Sequence, residues 1–231
     1  MQGMRSLRCL TSIVVAVSAV SHGVVYAGPP PHPLVRVGIG LDGPLASASR
    51  HALAMTEEAD AIWRRYGVAI VLVDLSAPAV AAECDVHLTL SLTPLATQVR
   101  GRAVNSLGTI WFEDGAPSRS LSVDVERIAA TVREAGFNGR ALDKWPPALV
   151  DRLTGRALGR VLAHEIGHFL LASSAHTSSG LMRTAFNGRI LAGWDRTPFG
   201  LGRAELPRLQ ARLARLDLLD KPVAAAGGEA P

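Results

Sequence analysis

The sequence predicts an α+β fold: a twisted mixed β-sheet, a long central helix, and a small C-terminal lobe that ends in a helix. Three observations predict it. Strand-like segments, β-branched or alternating, fill the first half of the chain. A long helical segment follows at 148–172, and an amphipathic one closes the lobe at 205–219.

The elements follow in order. VRVGIGLD at 35–42 reads as a strand. Pro44 and Ser47 turn the chain into a helix with Leu53, Met55, Ala59, Ile62, Trp63 and Tyr66 near helical spacing. Gly67 stops it. VAIVLVDL at 68–75 is a continuous apolar run, read as a buried central strand. Two strands joined by a helix suggest a parallel pair. VHLTLSL at 86–92 alternates and makes a third strand, and GTIWFEDG at 108–115 a fourth. SRSLSVDV at 118–125 is either a fifth strand or a lead into the helix at 126–136. The break at Trp145-Pro146-Pro147 precedes the long helix, which carries Gly155, Gly159 and Gly167. Each glycine costs a helix about 1 kcal/mol relative to alanine. Three of them imply close packing against a sheet or another helix.

Composition bounds the rest. The 231 residues are 48% hydrophobic and 19% charged, which suits one domain with a sizeable core. Residues 1–27 have the layout of a secretory signal peptide: Arg5 and Arg8 without acids, an apolar run, and Val25-Tyr26-Ala27 as a small-residue cleavage site. The alternative is an uncleaved anchor. The expected organisation is therefore a signal at 1–27 and a single domain at 28–231. Its upper lobe would cover about 34–172, its lower lobe about 173–220, and a tail 221–231. The expected location is secreted or periplasmic, with no membrane span after cleavage. Loss of Arg5 and Arg8 lowers the net charge from +4 to +2. The basic residues are scattered, so no nucleic-acid footprint is present. Cys9 lies in the signal, and Cys84 alone cannot form an internal disulfide.

The chemistry concentrates in HEIGHFLLASSAH, 164–176. His164 and His168 are four apart on a helix, so both imidazoles share one face and can share a cation. Glu165 projects beside that cation, where a carboxylate can take a proton from an activated water. Zinc would supply the Lewis acidity. The bland alternative is a helix with incidental histidines, but buried polar groups without partners cost about 1–3 kcal/mol each. A zinc site needs a third protein ligand. His176 is the nearest candidate, with a solvated loop histidine as the alternative. His51 and His87 read as structural or surface residues.

HEIGH, a later histidine and the segment Gly180-Leu181-Met182 together resemble the metzincin clan of zinc metallopeptidases. That resemblance implies zinc held by His164, His168 and His176, with Glu165 as general base. It also implies a Met-turn at Met182 beneath the ligands and a peptide or protein substrate; a monomer is expected separately. It further implies that GTIWFEDG borders the cleft and binds substrate by strand addition, the alternative being a strand with Trp111 and Phe112 packed on the core. The alternative for Met182 is an ordinary core methionine. The motif departs from the clan's pattern. Seven residues rather than five separate His168 from His176, and Leu171 stands where the clan has glycine. The helix is therefore expected to overrun by about half a turn. Asp195 would be the third ligand by resemblance to aspartate-liganded relatives, Glu205 by resemblance to glutamate-liganded ones. A different class of function, a catalytically silent extracytoplasmic zinc-binding module, would keep the ligands without needing Glu165.

Overall fold

The computed structural model describes residues 35–42, 45–74, 83–92, 98–99, 102–103, 106–136, 140 and 142–219. The expected signal peptide at 1–27, the Pro-rich lead and the tail at 221–231 lie outside them. The chain is α+β. Its strands are β1 (Val35–Asp42), β2 (Val68–Val73), β3 (Val86–Leu92), β4 (Gln98–Val99), β5 (Arg102–Ala103), β6 (Gly108–Glu113) and β7 (Ala116–Val123). Its helices are α1 (Leu45–Trp63), α2 (Val125–Ala135), α3 (Pro147–Leu171), α4 (Gly188–Ala192) and α5 (Glu205–Leu219).

Five strands form one sheet in the order β2-β1-β3-β7-β6. The first four are parallel, in registers such as Val35 with Val68 and Leu90 with Leu121, and β6 runs antiparallel to β7. The parallel β1–β2 pair follows from the α1 crossover between them. Two expectations are corrected. VAIVLVDL is an edge strand rather than a central one, ends at Val73, and leaves Leu72 39% exposed. An apolar run reports burial on the face that α1 covers, not position in the sheet. The fourth strand ends at Glu113, because Asp114 and Gly115 form a tight turn with φ of 50° and 81°. Positive φ at both central residues matches the twist of a hairpin, and Asp-Gly accommodates it readily. The open alternative at 118–125 is thereby resolved: a fifth strand, starting at Ala116, precedes α2.

Helix α3 is the centre of the molecule. From Leu153 to Leu171 every residue except Arg156 is buried, so the helix is covered on all sides. One side meets β6 and β7, another meets α1, and α4 and α5 cover the rest. Gly155 and Gly159 explain the close α1 crossing. A Cβ on Gly159 would lie 2.4 Å from the Met55 carbonyl oxygen, and one on Gly155 would lie 2.8 Å from the Ala54 Cβ. The two glycines are one turn apart on one face. Trp63, at the end of α1, is fully buried and donates its indole N–H to the Ala163 carbonyl (3.0 Å).

One polar group is fixed inside this packing. Arg160 is fully buried on α3, with its Nε 2.8 Å from Glu58 Oε1 of α1. Its other nitrogens donate to the backbone carbonyls of Ile190, Leu191 and Asp195, and its guanidinium lies 4.4 Å from the Phe199 ring centroid. Arg196 closes the network on Glu58 Oε2 at 2.7 Å. Burial alone would raise the Glu58 carboxyl, but the hydrogen bonds and charges of Arg196 and Arg160 outweigh it and hold the pKa below the ordinary value of 4.5.

A carboxyl with a depressed folded pKa stabilises the fold above its unfolded pKa and loses that stabilisation as pH falls through the folded one. Wild-type protein is therefore expected to lose stability progressively below about pH 4.5. Glu58→Gln removes one partner of a buried pair. It should destabilise the protein at neutral pH by about 3–5 kcal/mol in denaturant titrations, with a flatter acid limb.

Candidate metal centre

His164 and His168 lie one turn apart on α3 and face the same way. Each ring is held by a backbone carbonyl at Nδ1. His164 Nδ1 donates to Leu181 O (2.7 Å), and His168 Nδ1 to Ser173 O (2.6 Å). These bonds assign the proton to Nδ1 and leave Nε2 as a bare electron pair on both rings. Burial, opposed by the Leu181 carbonyl and reinforced by the other two histidines, lowers His164 to about 4. Burial likewise lowers His168. Both rings are therefore neutral at neutral pH, the state a metal ligand needs.

The third histidine reaches them by a sharp reversal. Helix α3 ends at Leu171, and Ala172 adopts the left-handed conformation with φ 46°. The expected half-turn overrun is thus a single residue. Ser173 N–H returns at once to the His168 carbonyl (3.2 Å). The extra residues are taken up in the largely exposed segment from Ala172 to Ala175, not in the helix. The far side of that segment is tied down. Thr177 N–H donates to Met182 O (2.7 Å), Thr184 N–H to Thr177 O (3.2 Å), and Leu181 N–H to Gly200 O (2.8 Å). So the loop that carries His176 is the loop whose Leu181 carbonyl orients His164.

The result is a triangle of nitrogens. The Nε2 atoms are separated by 3.1 Å (His164–His168), 3.3 Å (His164–His176) and 3.2 Å (His168–His176). Tetrahedral ligation at about 2.0–2.1 Å spaces nitrogens by about 3.3–3.4 Å. The donor set fits zinc. Two of the three corners are lone pairs with no proton to share, and such groups approach this closely around a cation. Among the described residues this is the one cluster of potential ligands with metal-binding spacing.

Met182 packs against the ligand helix at Gly167. It is 1% exposed, and a Cβ on Gly167 would come within 2.4 Å of its sulfur. Gly167 is small because Met182 occupies that space. Phe186 covers another side, edge-on to His164 at 5.6 Å between ring centroids.

Glu165 faces the neighbouring wall. A Cβ on Gly108, the first residue of β6, would sit 2.7 Å from Glu165 Oε1. Burial alone pushes its carboxyl up to about 8. It shares with the histidines a cleft of about 630 Å³ that is walled by Ser106–Ile110, Thr131 and the 183–186 segment. The edge strand thus borders the site.

The rival ligands are engaged elsewhere. Asp195 Oδ1 accepts from Thr197 N–H (2.8 Å), and its backbone carbonyl holds Arg160. Glu205 is buried at the start of α5, where Oε2 accepts from Gly202 N–H (2.5 Å). Both carboxylates stabilise local turns. His51 pairs with Asp151 at 3.3 Å between α1 and α3. Neither His87 nor Cys84 belongs to the cluster. Sequence reasoning missed Arg127, Arg183 and Phe186, which line the cleft. The position of Arg183 and Phe186 just after Met182 was the available signal.

No known family model matches the chain, and no curated protein matches it. Among solved structures it is similar to archaemetzincin from Methanopyrus kandleri, at 16% identity over 80% of this chain and 99% of that one, with a TM-score of 0.45. At that distance the likeness carries no argument about function. The side chains carry it.

The raised pKa has a testable sign. Unfolded Glu165 ionises near 4.5, whereas the folded group stays protonated to about 8. Without metal, stability therefore falls as pH rises between those values. In the presence of a chelator, Glu165→Gln should melt at a higher temperature than wild type around pH 8, and the gap should close toward pH 4.5.

Proposed function

We propose that the chain is an exported zinc-dependent endopeptidase, a divergent and compact relative of the metzincins. The observation that carries this reading is the histidine triangle with Glu165 buried beside it in one cleft. His164, His168 and His176 would hold the zinc. When bound, it would supply Lewis acidity for the scissile carbonyl and make water a competent nucleophile near neutral pH.

The residues of this chain do the rest. Glu165 takes a proton from the attacking water and returns it to the amide nitrogen as the C–N bond breaks. A cation held by the three histidines would favour the ionised form of Glu165, the state that accepts the proton. The Leu181 and Ser173 carbonyls fix the ring orientations. Met182 supports the ligand helix from below, as the methionine of a Met-turn does. The peptide lies along β6, the edge strand among the described residues, adding a strand to the sheet through main-chain hydrogen bonds. The signal-like N-terminus favours action outside the cytoplasm. A silent zinc-binding module has no need of a carboxyl desolvated against the cleft wall, and Glu165 is such a group.

The test uses casein and the zinc-loaded mature chain. Cleavage should stop with chelator and resume on adding zinc. Glu165→Gln should keep its zinc and lose activity by a factor of about 10² or more. Zinc retained by a well-folded wild type that cleaves neither casein nor a broad peptide library would favour the silent module.

A further inference from the structure

The charge of the cleft is uneven. Its described lining includes two arginines, Arg127 and Arg183, and a single acidic residue, Glu165. That carboxyl is buried, turned against Gly108 at the start of β6. The remaining polar lining is hydroxyl-bearing or imidazole: Ser106, Thr109, Thr131, Ser174 and Thr184 beside the three histidines.

Both arginines are steadied. Arg127 stands in the first turn of α2, and its Nε lies 3.5 Å from Oδ2 of the buried Asp124. Arg183 follows Met182 directly. Its guanidinium lies 5.7 Å from the Phe186 ring centroid, and Phe186 packs edge-on against His164. The cation therefore stands one aromatic ring away from the metal triangle. No described carboxylate lies within ion-pair distance of Arg183.

We propose that Arg183, with Arg127, makes this cleft selective for peptides that present a carboxylate close to the scissile bond. The inference rests on the peptidase reading and names its substrate class. A guanidinium recognises a carboxylate through paired N–H donors. A half-enclosed cleft strengthens that bond over one in open water. The carboxylate belongs either to an Asp or Glu side chain or to the free C-terminus of a peptide. The chemistry is the same, and the two sources differ only in where the cut falls.

Two sets of fluorescent peptides separate them. One set is blocked at both ends and carries Glu, Gln or Lys at each position around the scissile bond. The other is neutral throughout and ends in a free acid or an amide. kcat/KM is measured with zinc-loaded wild type, Arg183→Gln, Arg183→Glu and Arg127→Gln. Kd is measured by anisotropy on zinc-loaded Glu165→Gln, alone and combined with Arg183→Glu. Wild type should prefer the carboxylate peptide of at least one set by about tenfold or more, and added salt should narrow the ratio. Arg183→Gln should collapse it, Arg183→Glu should turn it toward Lys, and Arg127→Gln should reduce it. Equal handling of all peptides by wild type overturns the proposal, and so does a ratio that Arg183→Glu leaves unmoved. Selective binding without any turnover would instead sink the peptidase reading and leave carboxylate recognition standing.

Discussion

The Arg160 guanidinium is the fixed point from which the rest of the site is built. It is a fully buried cation on α3, four residues before His164. Such a charge is tolerated only where its donors are met. Glu58 meets one side, and the carbonyls of Ile190, Leu191 and Asp195 meet the other. The consequence is geometric. Helix α1, the ligand helix and the chain beyond Gly188 are locked to one side chain. A hydrophobic substitute of equal volume could fill the space, but it could not fix where three carbonyls lie.

The segment between those clamps is thereby limited in where it can go. It leaves α3 at Ala172 and must arrive at Gly188 on the face of α2, where a Cβ would lie 2.2 Å from the Thr131 carbonyl oxygen. Within that span Leu181 N–H is tied to Gly200, and Thr177 is tied to Met182 and Thr184. Short backbone bonds of this kind place His176 more firmly than its exposure suggests. They also join the ligands to each other, because Leu181 gives its carbonyl to His164. Packing and polar satisfaction serve one end: three nitrogens within 3.1–3.3 Å of one another.

Much of this was legible in the sequence. His164, Glu165 and His168 stand out because helical spacing converts directly into a shared face. Strands β1, β3 and β6 stand out because alternation and glycine boundaries are local signals. The glycines at 155 and 159 gave away a close helix crossing without naming the partner. What was hidden depends on tertiary context. Nothing local distinguishes an edge from a central position for VAIVLVDL. Ala172 gives no hint of a left-handed cap, since the residue itself disfavours it. Its conformation is imposed by the return of Ser173 to His168. Asp195 looked like a ligand because its chemistry is right, yet a turn and Arg160 hold it elsewhere. Glu58 and Arg160 are 102 positions apart, so no pattern joined them. The Asp114-Gly115 turn, by contrast, is a local signal, since Asp-Gly favours positive φ.

The central claim is that three histidines, with His176 as the third, share one zinc. The most direct measurement is competition of zinc-loaded protein against a chromophoric chelator, wild type beside His176→Ala. One zinc per wild-type chain is expected, with an affinity at least about a hundredfold weaker in the variant and the fold intact. Equal zinc affinity in the two proteins, or a folded wild type that takes up none, would contradict it.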